Sequence, residues 1–347
     1  MWSDPSLPSP NASFLHLALV TDTHFWPPSD AMRAWSARSA AASERDGLLV
    51  SDSPALVRQL LAELSAFASS RGLLALHLGD AVCGGGGFAQ PAAEVNASLL
   101  ALRAAEAHAL RRWPVHHAVG NHDLSGSPPL RAWGASLGGG AVEEAAAGAW
   151  RALALRGWSV LLLNSMDGVD EDVDGHGHVG RAQLEWLEAQ LRGARGAGRR
   201  VVLAMHHPLL DPAAPPARRR RGGAAAYLGP AAEAWAGPGD LVDNREEVLA
   251  VLARHTGVLR LALHGHVHAN TLTWWRGVPF VTLASTSEFP LEWHELVLAD
   301  CELRLVRHAL DLPALRHKSY AQDTRAGRNA IKQGPASLAQ GLRLDVC

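Results

Sequence analysis

The chain has 347 residues, of which 48% are apolar and 19% charged, and its formal net charge is −2. That composition supports a sizeable packed core and excludes a disordered or fibrous chain. The near-zero net charge excludes a general electrostatic pull toward nucleic acid or an anionic membrane surface.

Short apolar runs alternate with longer amphipathic ones along the chain. Leu15 to Val20 reads as a buried strand. Ser53 reads as an N-cap, with Pro54 at the first helical position and Leu56, Leu60, Leu61 and Leu64 at helical spacing. Leu73 to Leu78 is the second strand, Glu94 to Arg112 a helix and Val115 to Val119 a third strand. Ala149–Leu155 and Trp158–Asn164 read as two strands joined by a tight turn at Arg156-Gly157. Arg181 to Leu191 has helical spacing, Val201 to Met205 is a strand, and a helix over 243–255 precedes a strand at Val258 to Leu263. From Asn270 to Arg307 three or four strand-like runs follow without an intervening helix. Strand–helix alternation followed by consecutive strands predicts a layered α/β fold with mixed sheets. Residues 212–238, rich in Ala, Pro, Gly and Arg, read as an irregular insertion, and the polar segment 313–347 as a C-terminal extension.

Cys83, Cys301 and Cys347 are far apart and odd in number, which gives neither a disulfide framework nor a paired zinc site. The opening residues MWSDPSLPSPNAS lack the basic and apolar stretches of a signal peptide, and no apolar run is long enough to span a bilayer. A soluble cytoplasmic protein is the expectation. Of the 32 basic residues only Lys318 and Lys332 are lysines, which reads as genome composition.

Five polar clusters each follow a predicted strand: Asp22-Thr23-His24, Gly79-Asp80, Gly120-Asn121-His122-Asp123, Met205-His206-His207-Pro208 and His264-Gly265-His266-Val267-His268. In open α/β sheets sites lie just beyond the carboxyl ends of strands, so five such loops converge on one rim. Asp-x-His and His-x-His in extended chain put both side chains on one side. Carboxylate, amide oxygen and imidazole together suit divalent Mn, Fe or Zn, and a bridging carboxylate can hold two ions about 3.5–4 Å apart.

In that order the five motifs resemble the signature of the calcineurin-like metallophosphoesterases. Gly180-Arg181-Ala182-Gln183-Leu184-Glu185-Trp186-Leu187, His206-His207-Pro208 and Asn244 look like the class III cyclic-nucleotide phosphodiesterase branch. The resemblance implies a four-layer α/β/β/α sandwich of two mixed sheets, formed by a catalytic domain over residues 1–312. It implies two divalent metal ions, one held by Asp22, His24 and His268, the other by Asn121, His206 and His266, with Asp80 between them. His122 then matches the histidine that contacts the phosphate and protonates the leaving oxygen, Asp123 the acid that orients it, and Asn121 a second substrate contact. The implied reaction is in-line attack on phosphorus by a metal-bound hydroxide. A small phosphate ester, nucleotides included, is the expected partner, and a phosphodiester the favoured substrate. A phosphomonoesterase or nucleotide diphosphatase with the same site is the first alternative, and a non-catalytic scaffold the second. The purple acid phosphatase branch has a tyrosine where this chain has Cys83, and the Ser/Thr phosphatase motifs G-D-x-x-D-R-G and G-N-H-E are absent.

Other features have plainer readings. His207 packs or bonds its loop. Asp170 to Gly175 resembles half of an EF-hand loop, but Arg181 stands where a bidentate Glu is needed, so a solvated acidic turn is expected, with a weak Ca²⁺ site as the alternative. Arg218 to Arg221 read as a solvated run, with a grip on an anionic substrate as the alternative. Gly84 to Gly87 is no P-loop, since no Gly-Lys-Ser/Thr follows. Trp26, close behind the first motif, is a candidate to flank a substrate base.

Overall fold

In a computed structural model, the structure describes residues 14–39, 47–71, 74–84, 90, 92–111, 113–124, 133, 137, 149–168, 176–211, 240–323, 327–339 and 341–346, with backbone alone at 36–39 and 92. The arginine run at 218–221, the insertion at 212–238 and the acidic turn at 170–175 lie outside the described residues.

The elements in chain order are β1 (Leu15–Val20), α1 (Asp30–Ser39), α2 (Ser53–Arg71), β2 (Leu74–His77), α3 (Ala92–Leu110), β3 (Val115–His117), β4 (Arg151–Leu155), β5 (Trp158–Leu162), α4 (Arg181–Gly196), β6 (Arg200–Ala204), α5 (Arg245–Ala253) and β7 (Leu259–His264). There follow β8 (Thr271–Trp275), β9 (Val278–Thr282), β10 (Glu292–Leu298), β11 (Glu302–Ala309), α6 (Pro313–Gln322), α7 (Arg328–Gln333), α8 (Ala336–Ala339) and β12 (Leu342–Asp345). One six-stranded sheet runs β12-β11-β10-β1-β2-β3 and the other β4-β5-β6-β7-β9-β8. Both are mixed. β1, β2 and β3 are parallel, as are β5, β6, β7 and β9, while the remaining pairings are antiparallel.

The central strands are apolar on both faces, and their alternation sorts three main cores. Leu15, Leu17 and Leu19 of β1 face Val202, Ala204, Leu261 and Leu263 between the sheets. Ala18 and Val20 face the other way, onto Leu56, Leu60 and Leu64 of α2 and Leu99 of α3. Val201 and Leu203 of β6 meet Leu187 and Leu191 of α4 and Val248 and Leu252 of α5. Each fully buried leucine contributes about 2 kcal/mol. The result is the expected α/β/β/α sandwich. Among the described residues no helix is long and apolar enough to cross a membrane.

The C-terminal segment is woven into this fold: β12 pairs with β11 at the edge of the first sheet, Leu303 opposite Leu344 and Leu305 opposite Leu342. Cys301 is disulfide-bonded, whereas Cys83 is a free, buried thiol. Trp26 is corrected from a substrate flank to a core residue. It is 1% exposed, packs on Trp35 at 5.6 Å between centroids, and donates its indole N–H to Glu94 at 2.9 Å.

Candidate metal centre

The five motifs leave the carboxyl ends of β1, β2, β3, β6 and β7, and backbone bonds tie the loops together. Asp22 N–H donates to Gly79 O and His24 N–H to Asp80 O, both at 3.1 Å, and Gly265 N–H donates to His206 O at 2.9 Å. Asp22, His24, Asp80, His266 and His268 all have left-handed φ, between 43° and 70°, and make up five of the nine such non-glycine residues among the described residues. L-residues pay about 1–3 kcal/mol each for that conformation, so its concentration here marks a site whose geometry the surrounding fold enforces. Gly120 is required for close approach, since a Cβ there would lie 2.2 Å from both the Asp80 amide nitrogen and Oδ1.

The side chains converge as the motifs predict. Asp22, His24 and His268 offer one atom each within 4.8 Å of one another, and so do Asp22, Asp80 and His206, and His24, Asp80 and His122. Asp80 Oδ2 lies 3.2 Å from His206 Nε2 and 3.9 Å from His24 Nε2. Asn121 Oδ1 and His266 Nδ1 approach that same His206 Nε2 at 3.1 and 3.2 Å. On the other side His268 Nε2 stands 3.1 Å from His24 Nε2 and 3.3 Å from Asp22 Oδ1. All seven expected ligands therefore lie in one cluster, with Asp80 in its middle.

His122 sits beside it, edge-on to the His24 ring at 5.1 Å, with its backbone N–H donating to Asp80 Oδ1 at 2.8 Å. Its Nδ1–H donates to the carbonyl of Gly84 at 2.6 Å. The expectation that Asp123 orients this ring takes a different form. Asp123 accepts backbone N–H groups from Ala81 (2.7 Å), Val82 (3.1 Å) and Gly120 (2.9 Å), which fixes the loops, while the carbonyl of Gly84 holds the ring.

A profile of the calcineurin-like phosphoesterases matches residues 15–270, well over half the chain. The chain belongs to that family. Its fold is similar to that of a dimetal phosphatase from Danio rerio, at 16% identity and a TM-score of 0.59, with 85% of this chain and 96% of that one covered. A putative 5′-nucleotidase from Staphylococcus aureus is similar over 89% of this chain and 58% of that one, at 12% identity and a TM-score of 0.43. No curated protein matches the sequence.

Calcineurin-like phosphoesterases typically bind two divalent cations, and the donor set here fits that role. Asp22 Oδ1 is buried and faces the imidazole Nε2 of His268, at 3.3 Å, which suits a carboxylate oxygen shared with a ligating histidine. In the chelated protein the acids draw protons onto two imidazoles. Burial opposes charge on His206, but the Asp80 carboxylate overcomes it and pushes the pKa up to about 9. Burial likewise opposes charge on His268, which Asp22 and Glu288 raise to about 10. Burial holds His24 and His266 well below the ordinary value, in the neutral form that ligates metal. Burial, reinforced by Asp80, raises Asp123 to about 7.

These directions fix how the chelated protein responds to pH. His206 and His268 bind protons more tightly folded than unfolded. The stability they bring is whole below the ordinary value of 6.5 and is lost as pH climbs through about 9 and about 10. Chelated protein is therefore expected to lose thermal stability from pH 6.5 to 10 more steeply than Mn²⁺-loaded protein, in which cations replace those protons. Parallel melting curves for the two forms across that range would contradict the assignment.

The sequence reading missed a sixth loop on the same rim, after β9. Ser285 and Ser287 both donate Oγ–H to the carbonyl of Asp22 at 2.8 Å, and Glu288 Oε2 accepts His268 Nδ1–H at 2.5 Å. Ser285-Thr286-Ser287-Glu288 is a polar cluster after a strand, the same signal that marked the other five. The His207 ring bonds not its own loop but the one after β5, through Ser165 Oγ at 2.8 Å; it packs on His266 at 4.3 Å between centroids and offers a nitrogen within 4.8 Å of those of His206 and His266. Asn244 and Gln183, part of the branch resemblance, serve as staples: Asn244 bonds both N–H and C=O of Val179, and Gln183 those of Asn164.

Proposed function

We propose that this chain is a phosphoesterase dependent on two divalent cations, Mn, Fe or Zn, and that phosphodiesters are its substrates. The observation that supports it most is the place of Asp80, shared between the ligand groups on either side. Asp22, His24 and His268 would hold one cation, Asn121, His206 and His266 the other, and Asp80 both. When bound, such a pair neutralises charge on phosphoryl oxygens and lowers the pKa of water.

The remaining steps belong to the chain. A carbonyl can only accept, so Nδ1 of His122 carries a hydrogen toward Gly84, and a second proton can sit only on Nε2. That proton is the one His122 delivers to the departing oxygen, and Asn121 and His122 together touch the phosphate. Asp123, through three backbone N–H groups, keeps the loops carrying Asp80 and His122 in register.

The diester preference rests on resemblance to the cyclic-nucleotide phosphodiesterase branch. A monoesterase or nucleotide diphosphatase is the second reading, supported by the likeness of fold to a dimetal phosphatase. Hydrolysis of bis-p-nitrophenyl phosphate beside p-nitrophenyl phosphate, with Mn²⁺ and then EDTA, separates them. Mn²⁺-dependent cleavage favouring the diester is expected. Preference for the monoester transfers the reading to the second class, and failure on both with no cation bound would leave a scaffold.

A further inference from the structure

Lys332 is one of two lysines in the sequence, and its side chain is fully buried. Lysine is almost never fully buried unless paired. Here the ammonium forms an ion pair with Glu288 Oε1 and donates to Asp323 Oδ2 at 2.6 Å. The other oxygen of Glu288, Oε2, takes the Nδ1–H of His268 at 2.5 Å, on the side of the ring opposite the Nε2 that faces Asp22 and His24. A chain of polar contacts thus runs from α7, outside the family match over residues 15–270, to the last of the motif histidines.

The backbone repeats the connection. Asn270, two residues beyond His268, donates its N–H to the carbonyl of Lys332 at 3.0 Å. Gly334, at φ 72°, lies so close that a Cβ would come within 2.1 Å of Asn270 O. Phe289, next to Glu288, donates its N–H to Ser319 Oγ of α6 at 2.7 Å. The C-terminal segment therefore clasps both loops that carry this relay.

We propose that Lys332 and Glu288 are positioning residues for the cation held by Asp22, His24 and His268, with Lys332 seating Glu288 and Glu288 setting the tautomer and plane of the His268 ring. The proposal rests on His268 being a ligand of that cation. A carboxylate that receives the outer N–H of a ligating imidazole fixes which nitrogen faces the metal, and its loss costs about 10–100-fold in metal affinity.

The test uses the full-length chain, stripped by chelation and titrated with Mn²⁺ by calorimetry, with metal content measured in parallel. Lys332→Met and Glu288→Gln are each expected to weaken one of two binding events by about 10-fold or more while leaving the other unchanged. Because both act through one ring, the double variant should be no weaker than Glu288→Gln alone. Equal weakening of both events, additive losses, or wild-type affinity in Lys332→Met would overturn the proposal. Should Lys332→Met not fold, Asp323→Asn keeps the ammonium and removes its second anchor, and the same selective weakening is expected. A His268→Ala chain that binds Mn²⁺ like wild type would instead overturn the ligand assignment beneath the proposal.

Discussion

An Asp80→Ala chain is expected to lose tight binding of both cations and to slow in phosphoester hydrolysis by about 10³-fold or more, since two cations supply several kcal/mol of transition-state stabilisation. Asp80 Oδ2 faces His206 Nε2 at 3.2 Å and His24 Nε2 at 3.9 Å, and these two histidines are assigned to opposite sets in the proposed centre. The same carboxylate also receives the His122 backbone N–H at 2.8 Å, so its loss loosens the loop that carries the proposed acid. Asp80→Asn separates these effects, because it retains volume and an acceptor but not the charge. It is expected to keep the circular dichroism of the wild type and still lose metal and turnover. A variant that retained both cations and normal rates would remove Asp80 from the centre, and one that retained a single cation would confine it to one side.

His122→Ala is expected to bind two cations as the wild type does and to turn over about 10²–10⁴-fold more slowly, the usual contribution of a positioned general acid. Its ring is held by the Gly84 carbonyl at 2.6 Å rather than by a ligand to metal, which is why metal content should not change. The defect should be largest with an alkyl leaving group, whose oxygen needs a proton, and smaller with p-nitrophenolate, which departs without one. Steady-state rates on both esters measure it. Full activity on the poor leaving group would show that the proton comes from elsewhere.

Where the chain is locally consistent, its sequence was a good guide. β1, β2, β6 and β7 are apolar runs buried on both faces, and each ends in a cluster of Asp, Asn, His and Gly whose residue types declare the chemistry. The seven expected ligands come together because parallel strands in two facing sheets direct five loops to one rim. What escaped notice depends on contacts distant in sequence. The Ser-Thr-Ser-Glu cluster itself follows a strand, but its pairing with His268 twenty residues away, and that of Lys332 with Glu288 forty-four residues away, cannot be read from spacing. β12 is a four-residue alternation, Leu-Arg-Leu-Asp, that becomes a strand only because β11 offers an edge. Trp26 looked available to a substrate because α1, which brings Trp35 over it, is polar on average and does not announce a core element. Asp123 bonds backbone N–H groups rather than the His122 ring, since nothing in Gly-Asn-His-Asp says that the ring will turn to Gly84.

The number of cations bound per chain tests the central claim most directly. Full-length protein stripped with EDTA, dialysed against Mn²⁺ and assayed for metal is predicted to hold two per chain, with hydrolysis returning as the pair is restored. A chain that binds none, or whose hydrolysis survives complete chelation, would contradict the account.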